Sequence, residues 1–309
     1  IGSLDDLKIV DVDDPRPGPG EVIVQVSAAA INPSDAKNVL GKMSETRTPR
    51  IPGRDFAGIV VSESKWKGKS VFGTGGTLGF SKDGTHAAYV AVPEDGLVEL
   101  PQGLSFAAAA AMSLSYVTAW QALVVEGHLK ANETVLITGA SGTVGDAAVR
   151  IAKHSGANVI ATVSSSALAR DIAGTIPSIS LKTQDLAETV SKITGGNGVN
   201  LIVDVVGGPL FEPCLKCLSQ HGRQVVVAST GSPQVSFSLP DFYHKQAHLI
   251  GVDTLKLTSA ECASLLKALI PGMQQGIYVP LDIDELALEE APKAYEEIAN
   301  GKAKNKKVI

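Results

Sequence analysis

The sequence is poor in cysteine: three in 309 residues, at Cys214, Cys217 and Cys262. Three cysteines cannot staple a secreted disulfide scaffold, so a reducing compartment is expected, and the cytoplasm fits it. No uninterrupted apolar run of about 18 residues occurs, so no membrane span is expected. There is no excess of basic charge either: 27 Lys and Arg stand against 32 Asp and Glu, a net charge of −5. That balance argues against a general binder of nucleic acid or anionic membrane, while leaving room for a local basic pocket. No signal-peptide pattern opens the chain, which begins at Ile1 rather than Met, and a trimmed start is expected. Internal repeats are absent. What is present, 44% apolar and 19% charged residues, is ordinary for a folded protein. The length exceeds one simple hydrophobic core and implies about two domains.

The first third reads as short strands broken by Gly and Pro. Pro15, Pro17, Gly18, Pro19 and Gly20 mark a loop, and the Val-rich, partly alternating residues 21–30 follow as a strand. Residues 59–61 and 87–92 are further strand candidates around a Gly-rich stretch, 73–84, and together they predict an antiparallel β lobe. The character changes near Ser105, where residues 107–112 and 117–125 read as helix. From Glu133 strands and helices alternate. A buried-type strand over 134–138 leads to a helix over 144–155 with Val144, Ala148, Ile151 and Ala152 on one stripe. Strands over 159–163, 201–206 and 224–228 come next. This alternation predicts a parallel sheet covered by helices on both faces. Helices over 259–275 and 288–300 and a strand over 306–309 close the chain. Its basic tail, Lys302, Lys304, Lys306 and Lys307, reads as a solvated surface.

The most informative segment is residues 133–145, ETVLITGASGTVG. A buried strand runs into Gly139-Ala-Ser141-Gly142-Thr143-Val144-Gly145, and a helix starts at once. One glycine permits the tight bend, one lets backbone amides approach a diphosphate, and one lets helix and strand pack closely. The helix start supplies unpaired N–H groups and partial positive charge. The spacing is G-x-x-G-x-x-G rather than G-x-G-x-x-G, but the flanking strand, helix and next strand agree with a dinucleotide site. A tight βα turn without a ligand is the alternative. The second strand ends in Val163-Ser164-Ser165-Ser166, with no acid to hold ribose hydroxyls. Those hydroxyls, with Arg170 and Lys182, suit a 2′-phosphate, so NADPH is the expected cofactor; ordinary surface charges are the alternative for both basic residues.

The order of segments resembles the zinc-independent, quinone oxidoreductase-like branch of the medium-chain dehydrogenase/reductase superfamily. The resemblance rests on Ala30-Ile-Asn32-Pro33-Ser34-Asp35, Pro52-Gly53-Arg54-Asp55-Phe56-Ala57-Gly58, Tyr116-Val-Thr118-Ala-Trp120, the glycine turn, and Leu201-Ile-Val-Asp204-Val-Val-Gly207-Gly208. It covers nearly the whole chain and implies an α/β architecture: a Rossmann-type doubly wound parallel sheet domain plus a GroES-like antiparallel β catalytic domain. The expected limits are 1–117 for the first part of the catalytic domain, 118–255 for the NADPH-binding domain, and 256–309 for the return. Zinc-dependent relatives carry Cys near Asn32 and His-Glu where this chain has Arg54-Asp55. No Cys precedes Cys214, so no tetrahedral zinc cluster is expected. The Cys214-x-x-Cys217 pair has no second pair and reads as buried core. His244 and His248, lacking an intervening Glu, read as structural or loop residues.

The resemblance places Asn32 beside the nicotinamide, where its amide would donate to a carbonyl or a cofactor hydroxyl. Capping the turn before Pro33 is the alternative. Lys37 replaces a Tyr common in quinone reductases. The N-P-x-D-x-K arrangement is more similar to enone and alkenal reductases and to trans-acting enoyl reductases. Its ammonium would serve an enolate oxygen or the ribose, or else be a solvated helix lysine. Thr118, Ser229, Thr230 and Val252 are expected along the cofactor, with Lys306 added to that set. The expected activity is reduction of a quinone, or of the C=C bond of an α,β-unsaturated carbonyl, by NADPH. Rival readings are a trans-acting enoyl-thioester reductase and a cofactor-binding sensor or structural protein without turnover. A homodimer joined near residues 235–239 is expected, with no nucleic-acid or membrane partner.

Overall fold

The alternation in the first strand is met by β1 (Glu21–Ala28), which turns Val22 and Val24 into a core and Gln25 to solvent. The computed structural model that shows this describes residues 2–164 and 176–309. Helix α1 (Pro33–Val39) follows, with Pro33 in the first turn, where its missing N–H costs nothing. Strands β2 (Phe56–Val60), β3 (Ser70–Gly73), β4 (Tyr89–Pro93) and β5 (Val98–Glu99) complete a five-stranded sheet in the order β4-β1-β2-β3-β5. Each neighbouring pair is antiparallel. Its core joins Val22, Val24, Phe56, Val60, Val71 and Val92, the β-branched and aromatic types that pack well on a pleated surface.

Helix α2 (Phe106–Trp120) continues as a π-helical stretch, Gln121–Glu126. From Phe106 to Glu126 it is long and apolar enough to cross a membrane by length and composition, although it carries Ser113, Ser115, Thr118, Gln121 and Glu126. Most of its apolar window, 72%, is buried in the protein, as suits a helix apolar all round.

Strands β6 (Thr134–Ile137), β7 (Asn158–Val163), β8 (Ser178–Ser180), β9 (Val199–Asp204), β10 (Leu218–Val226) and β11 (His248–Gly251) form a second sheet. Helices α3 (Thr143–His154), α4 (Leu186–Ile193), α5 (Phe211–Cys217) and α6 (Leu239–Tyr243) lie among them in sequence. The order is β11-β10-β9-β6-β7-β8, parallel throughout. The winding direction therefore reverses between β6 and β9, the place where open α/β sheets bind ligands. Leu186 and Val190 of α4 and Cys214, Leu215 and Cys217 of α5 share a core with Leu136, Ile160 and Ile202. Both cysteines of the C-x-x-C are thus packing residues, as their burial demands.

The chain closes with α7 (Ser259–Gln274), β12 (Ile283–Glu285), α8 (Ala291–Ala299) and β13 (Lys306–Val308). The helix expected over 288–300 is split, with a 3-10 turn at Leu288–Glu290 before α8. Two compact units result: Ile1–Val117 with Thr254–Ile309, and Thr118–Asp253.

The basic tail is not a uniformly solvated surface. β13 pairs in parallel with β12, and its backbone also bonds to residues 29–31: Ala29 N–H donates to Ile309 O at 2.6 Å and Ile31 N–H to Lys307 O at 3.0 Å. Lys306 and Lys307 are both buried residues, but only the Lys306 ammonium ends in the interior. Lys307 is neutralised by Asp284 and Glu297, each at 2.8 Å.

Candidate functional site

In the second unit, the bend after β6 separates its three glycines by what each one prevents. Gly139 has φ +57°, a conformation that a side chain strains. Gly142 N–H donates to Gly139 O at 2.9 Å and closes the turn. Gly145 is locked by packing, because a methyl on it would lie 2.2 Å from Gly139 O and 2.8 Å from Ala140 Cα. Gly142 is under neither constraint. Its φ is −89°, and a methyl there would meet only Gly139 O, at 3.4 Å. The fold does not need glycine at 142; the open space beside it is a cradle that a Cβ would fill. No side chain caps α3, so its first N–H groups and the positive end of its dipole are left to an anion. These residues fit a dinucleotide diphosphate. Ser141, Thr143 and Val144 are half-buried around the bend.

Asp204, at the end of β9, organises the neighbouring loop. Its Oδ1 accepts from the Thr138 hydroxyl at 2.9 Å, from Gly207 N–H at 2.8 Å and from Val206 N–H at 3.2 Å. Gln224 on β10 donates to its Oδ2 at 3.3 Å. Gly207 and Gly208 then pass close to the loop after β10, where a methyl on either would lie 2.2 Å from Ala228 O or Thr230 O respectively. Thr230 gives both its N–H (2.8 Å) and its hydroxyl (3.0 Å) to Val206 O. The hydroxyl expected on a cofactor thus fastens two loops. Ser229 is exposed and donates to Ser232 O at 3.3 Å. The structure therefore gathers the loops after β6, β9 and β10 at the carboxyl ends of adjacent strands. The sequence reading quoted Asp204 only as part of a motif; a lone acid ending an apolar strand was the available signal.

The other expected cofactor residues are more scattered. Val252 is buried and extends the pairing of β11 through its N–H to Val226 O at 2.9 Å. Thr118 is buried in α2. Ser164, after β7, and Lys182, after β8, are exposed. Ser165 and Arg170 lie outside the described residues.

In the first unit, ionisable side chains converge in the interior. Asn32 is the N-cap residue of α1, and its N–H donates to Asp35 Oδ2 at 2.8 Å. Its side chain does separate work: Nδ2 donates to Asp55 Oδ2 at 2.8 Å, and Oδ1 accepts from Lys306 Nζ at 2.5 Å. Lys306 also donates to Ile31 O at 3.2 Å. Asn32 is 4% exposed and Lys306 5%, while Asp35, Arg54 and Asp55 are buried too. Tyr295 on α8 bonds through its hydroxyl to His86 Nδ1 at 2.9 Å, and His86 Nε2 faces Ala30 O at 3.3 Å.

Burial sets the electrostatics here. It raises the Asp35 carboxyl against the pull of the Asn32 N–H, Arg54 and Lys306. It raises Asp55 against Lys306 and Asn32. Burial also pushes the Lys306 ammonium down, with Asp55 and Asp35 holding it up. His86 is pushed down to about 4 by desolvation and is neutral at pH 7. Two carboxylates thus face two cations, Arg54 and Lys306, around one amide. The sequence reading treated Asp35 as ordering the helix turn, which it does; it named Asp55 only as standing in place of a zinc-site residue, and it put Lys306 along the cofactor, whereas the structure bonds its ammonium to Asn32 and Ile31. Lys37, by contrast, is exposed on α1 and makes no side-chain hydrogen bond with this group.

The donor set does not suit zinc. Asn32 Oδ1 and Asp55 Oδ2 are engaged, the Cys262 thiol beyond Arg54 and Asp55 is pushed up to about 11 by burial and so is no thiolate, and the His86 ring is occupied on both sides. A cleft of about 670 Å³ in the same unit is bordered by Ile9, Val10, Val12, Pro49 and Tyr89. It reaches His86 and Tyr295 but not Asn32 or Lys306, so its volume and the converging charges do not coincide.

Residues 18–102 match the family model of the alcohol dehydrogenase GroES-like domain, and residues 143–270 that of the zinc-binding dehydrogenases. The chain is 37% identical to a zinc-type alcohol dehydrogenase-like protein of Schizosaccharomyces pombe, over 95% of this chain and 89% of that protein. It is 29% identical to a quinone oxidoreductase of Homo sapiens, over 97% and 91%. A solved alcohol dehydrogenase superfamily protein from Novosphingobium aromaticivorans has a TM-score of 0.88 at 28% identity, over 97% of this chain and 94% of that one.

Proposed function

The chain belongs to the quinone oxidoreductase-like branch of the medium-chain dehydrogenase/reductase superfamily, and on that premise we propose that it uses NADPH, without zinc, to reduce a quinone or the C=C bond of an α,β-unsaturated carbonyl. Members of this superfamily bind a nicotinamide dinucleotide. The observation that carries the reading is the glycine bend with Gly142 left open at an uncapped helix start, at the reversal point of the sheet.

When bound, the reduced nicotinamide supplies the hydride. The work of the chain is to hold, orient and polarise. The amides at the start of α3 bind the diphosphate, and Gly142 keeps a side chain out of its place. Ser164, Ser165, Arg170 and Lys182 are the proposed contacts for a 2′-phosphate, because no acid ends β7. Negative charge develops on the acceptor's carbonyl oxygen, and Asn32 is the proposed donor to it. Zinc is left out on the donor set of the first unit, where the cation beside Asn32 is the ammonium of Lys306. The exposed strand β11 at the sheet edge, with Leu239 and Tyr243 exposed nearby in sequence, supports a homodimer.

The test is NADPH and NADH oxidation with 1,4-benzoquinone, 2-cyclohexenone and an enoyl thioester, each with and without a chelator. Turnover of quinone or enone with NADPH, unchanged by the chelator, is expected. Turnover confined to the thioester moves the protein to enoyl-thioester reduction. Tight NADPH binding without turnover makes it a sensor, and a large loss on chelation refutes the zinc-free reading.

A further inference from the structure

We infer that Lys306 is a positioning residue for hydride transfer: its ammonium fixes and polarises the Asn32 amide so that Asn32 meets an acceptor only as a hydrogen-bond donor. The inference rests on the proposed oxidoreductase reading and adds to it a residue and a rule of substrate choice.

An amide side chain has two N–H donors and one carbonyl acceptor, and it can be turned over by half a rotation. Here the two ends are held by opposite charges. Lys306 Nζ donates to Oδ1 at 2.5 Å, and Nδ2 donates to Asp55 Oδ2 at 2.8 Å. Turning the amide over would set its N–H groups against an ammonium and its carbonyl against a carboxylate, so only one orientation survives. One Nδ2 hydrogen is used by Asp55, and among the described residues nothing else accepts from Nδ2. Asn32 is left with one uncommitted donor and no free acceptor directed by the protein. Proton donation to the carbonyl end of an amide also draws electron density from its nitrogen and strengthens the remaining N–H. The acceptors that profit are those whose oxygen becomes negative on reduction, namely quinones and conjugated carbonyls.

The groups acting on Lys306 are the Asp35 carboxyl on α1, the Asp55 carboxyl ahead of β2 and the His86 ring ahead of β4, with Arg54 acting on Asp35 and the Tyr295 hydroxyl of α8 bonded to His86. His86 is neutral and the Tyr295 hydroxyl is held protonated, since burial raises it well above the ordinary range. Among the described residues Lys306 carries the one ammonium bonded to the amide, so its discharge releases the amide at alkaline pH.

The experiment uses the full chain and the variants Lys306→Met, Lys306→Arg, Asn32→Leu and the double variant Asn32→Leu/Lys306→Met. It measures kcat and KM with 2-cyclohexenone, and NADPH binding by fluorescence. Lys306→Met is expected to lower kcat about tenfold or more, the effect of losing a charge-assisted hydrogen bond, with NADPH binding unchanged. In the Asn32→Leu background the same substitution should have no further effect on kcat. Unaltered protein should lose kcat along a one-proton alkaline limb, and Lys306→Arg, which keeps its charge, should lack that limb. That variant decides the matter if Lys306→Met does not fold. Independent, multiplicative effects of the two substitutions, or an alkaline limb that persists in Lys306→Arg, would overturn the inference. Undiminished turnover in Lys306→Met sinks it while leaving the oxidoreductase reading intact. No turnover by the unaltered protein with any acceptor sinks both.

Discussion

Replacing Gly142 by Ala separates folding from binding at the glycine bend. The backbone at 142 (φ −89°, ψ 166°) suits any residue, and the new methyl meets one carbonyl oxygen at 3.4 Å. Loss of unfolded-state freedom stabilises such a change by about 0.4–1 kcal/mol. Ala is a poorer N-cap than Gly by a comparable amount. The net effect is within about 1 kcal/mol, a melting shift of no more than about 4 °C. The methyl nevertheless fills the space assigned to the diphosphate and should remove one charge-assisted hydrogen bond or more, worth about 1.5–3 kcal/mol. NADPH should therefore bind about 10- to 100-fold more weakly. Gly145→Ala is the control with the opposite profile. Its methyl would sit 2.2 Å from Gly139 O, against rigid backbone, and overpacking of that kind costs about 1–3 kcal/mol. Thermal unfolding and fluorescence titration with NADPH read both effects. A folded Gly142→Ala protein that binds NADPH as well as the unaltered one would refute the assignment of the bend.

Asp204→Asn replaces an acceptor of three hydrogen bonds through Oδ1. It should cost about 1–3 kcal/mol and weaken NADPH binding; urea unfolding and titration check this. Arg223→Met should cost about 2–4 kcal/mol in urea unfolding, because it abandons a two-pronged pair with Glu133 at 2.7 and 3.0 Å whose side chains are only 18% and 17% exposed. Burial raises the Glu133 carboxyl, but Arg223 and the Lys130 N–H outweigh it and the net shift is downward. The pair's contribution is therefore present above the ordinary carboxylate pKa and is lost as pH falls, so the variant should show a flatter acid limb. His86, held at about 4 against an ordinary 6.5, binds its proton more readily when unfolded. Its burial favours folding above pH 6.5 and loses up to about 3 kcal/mol as pH falls to 4. His86→Gln should flatten that decline in thermal melts between pH 7 and 4, and an unchanged slope would refute the assignment.

The parts legible in the sequence were those specified locally. β6, the glycine bend and α3 lie within 21 residues, and the bend closes on itself there, with Gly145 packed on Gly139 and Ala140 and Gly142 N–H bonded to Gly139 O. Strand–helix alternation likewise gave the parallel sheet. The strands missed were β3, β5, β8, β11 and β12, of two to four residues, too short to show a period, and the helices α4, α5 and α6, of five to eight residues, were not assigned either. The polar cluster was missed for another reason: Lys306 and Asn32 are 274 positions apart, and nothing near either one reports the other. Two signals were available. Arg54-Asp55 is a charged pair between Gly53 and the strand Phe56–Val60, and Lys306 opens the short strand Lys306–Val308. Charges set inside sheet segments have to find partners, and here they find one another. Attention fell instead on Lys37, whose motif spacing is local but whose side chain faces solvent.

Because β13 follows the entire second unit in the chain, a ribosome making this protein releases Asp35, Arg54 and Asp55 long before Lys306, the second of the two cations that offset the carboxylates. The first unit cannot be finished as it emerges: its acidic interior has to stay hydrated, or partly protonated, until residues 306–308 arrive and dock beside residues 29–31. Synthesis thus favours the second unit as the earlier one to mature, and anything that delays docking of β13 would disturb the Asn32–Lys306 pair before it touched the parallel sheet.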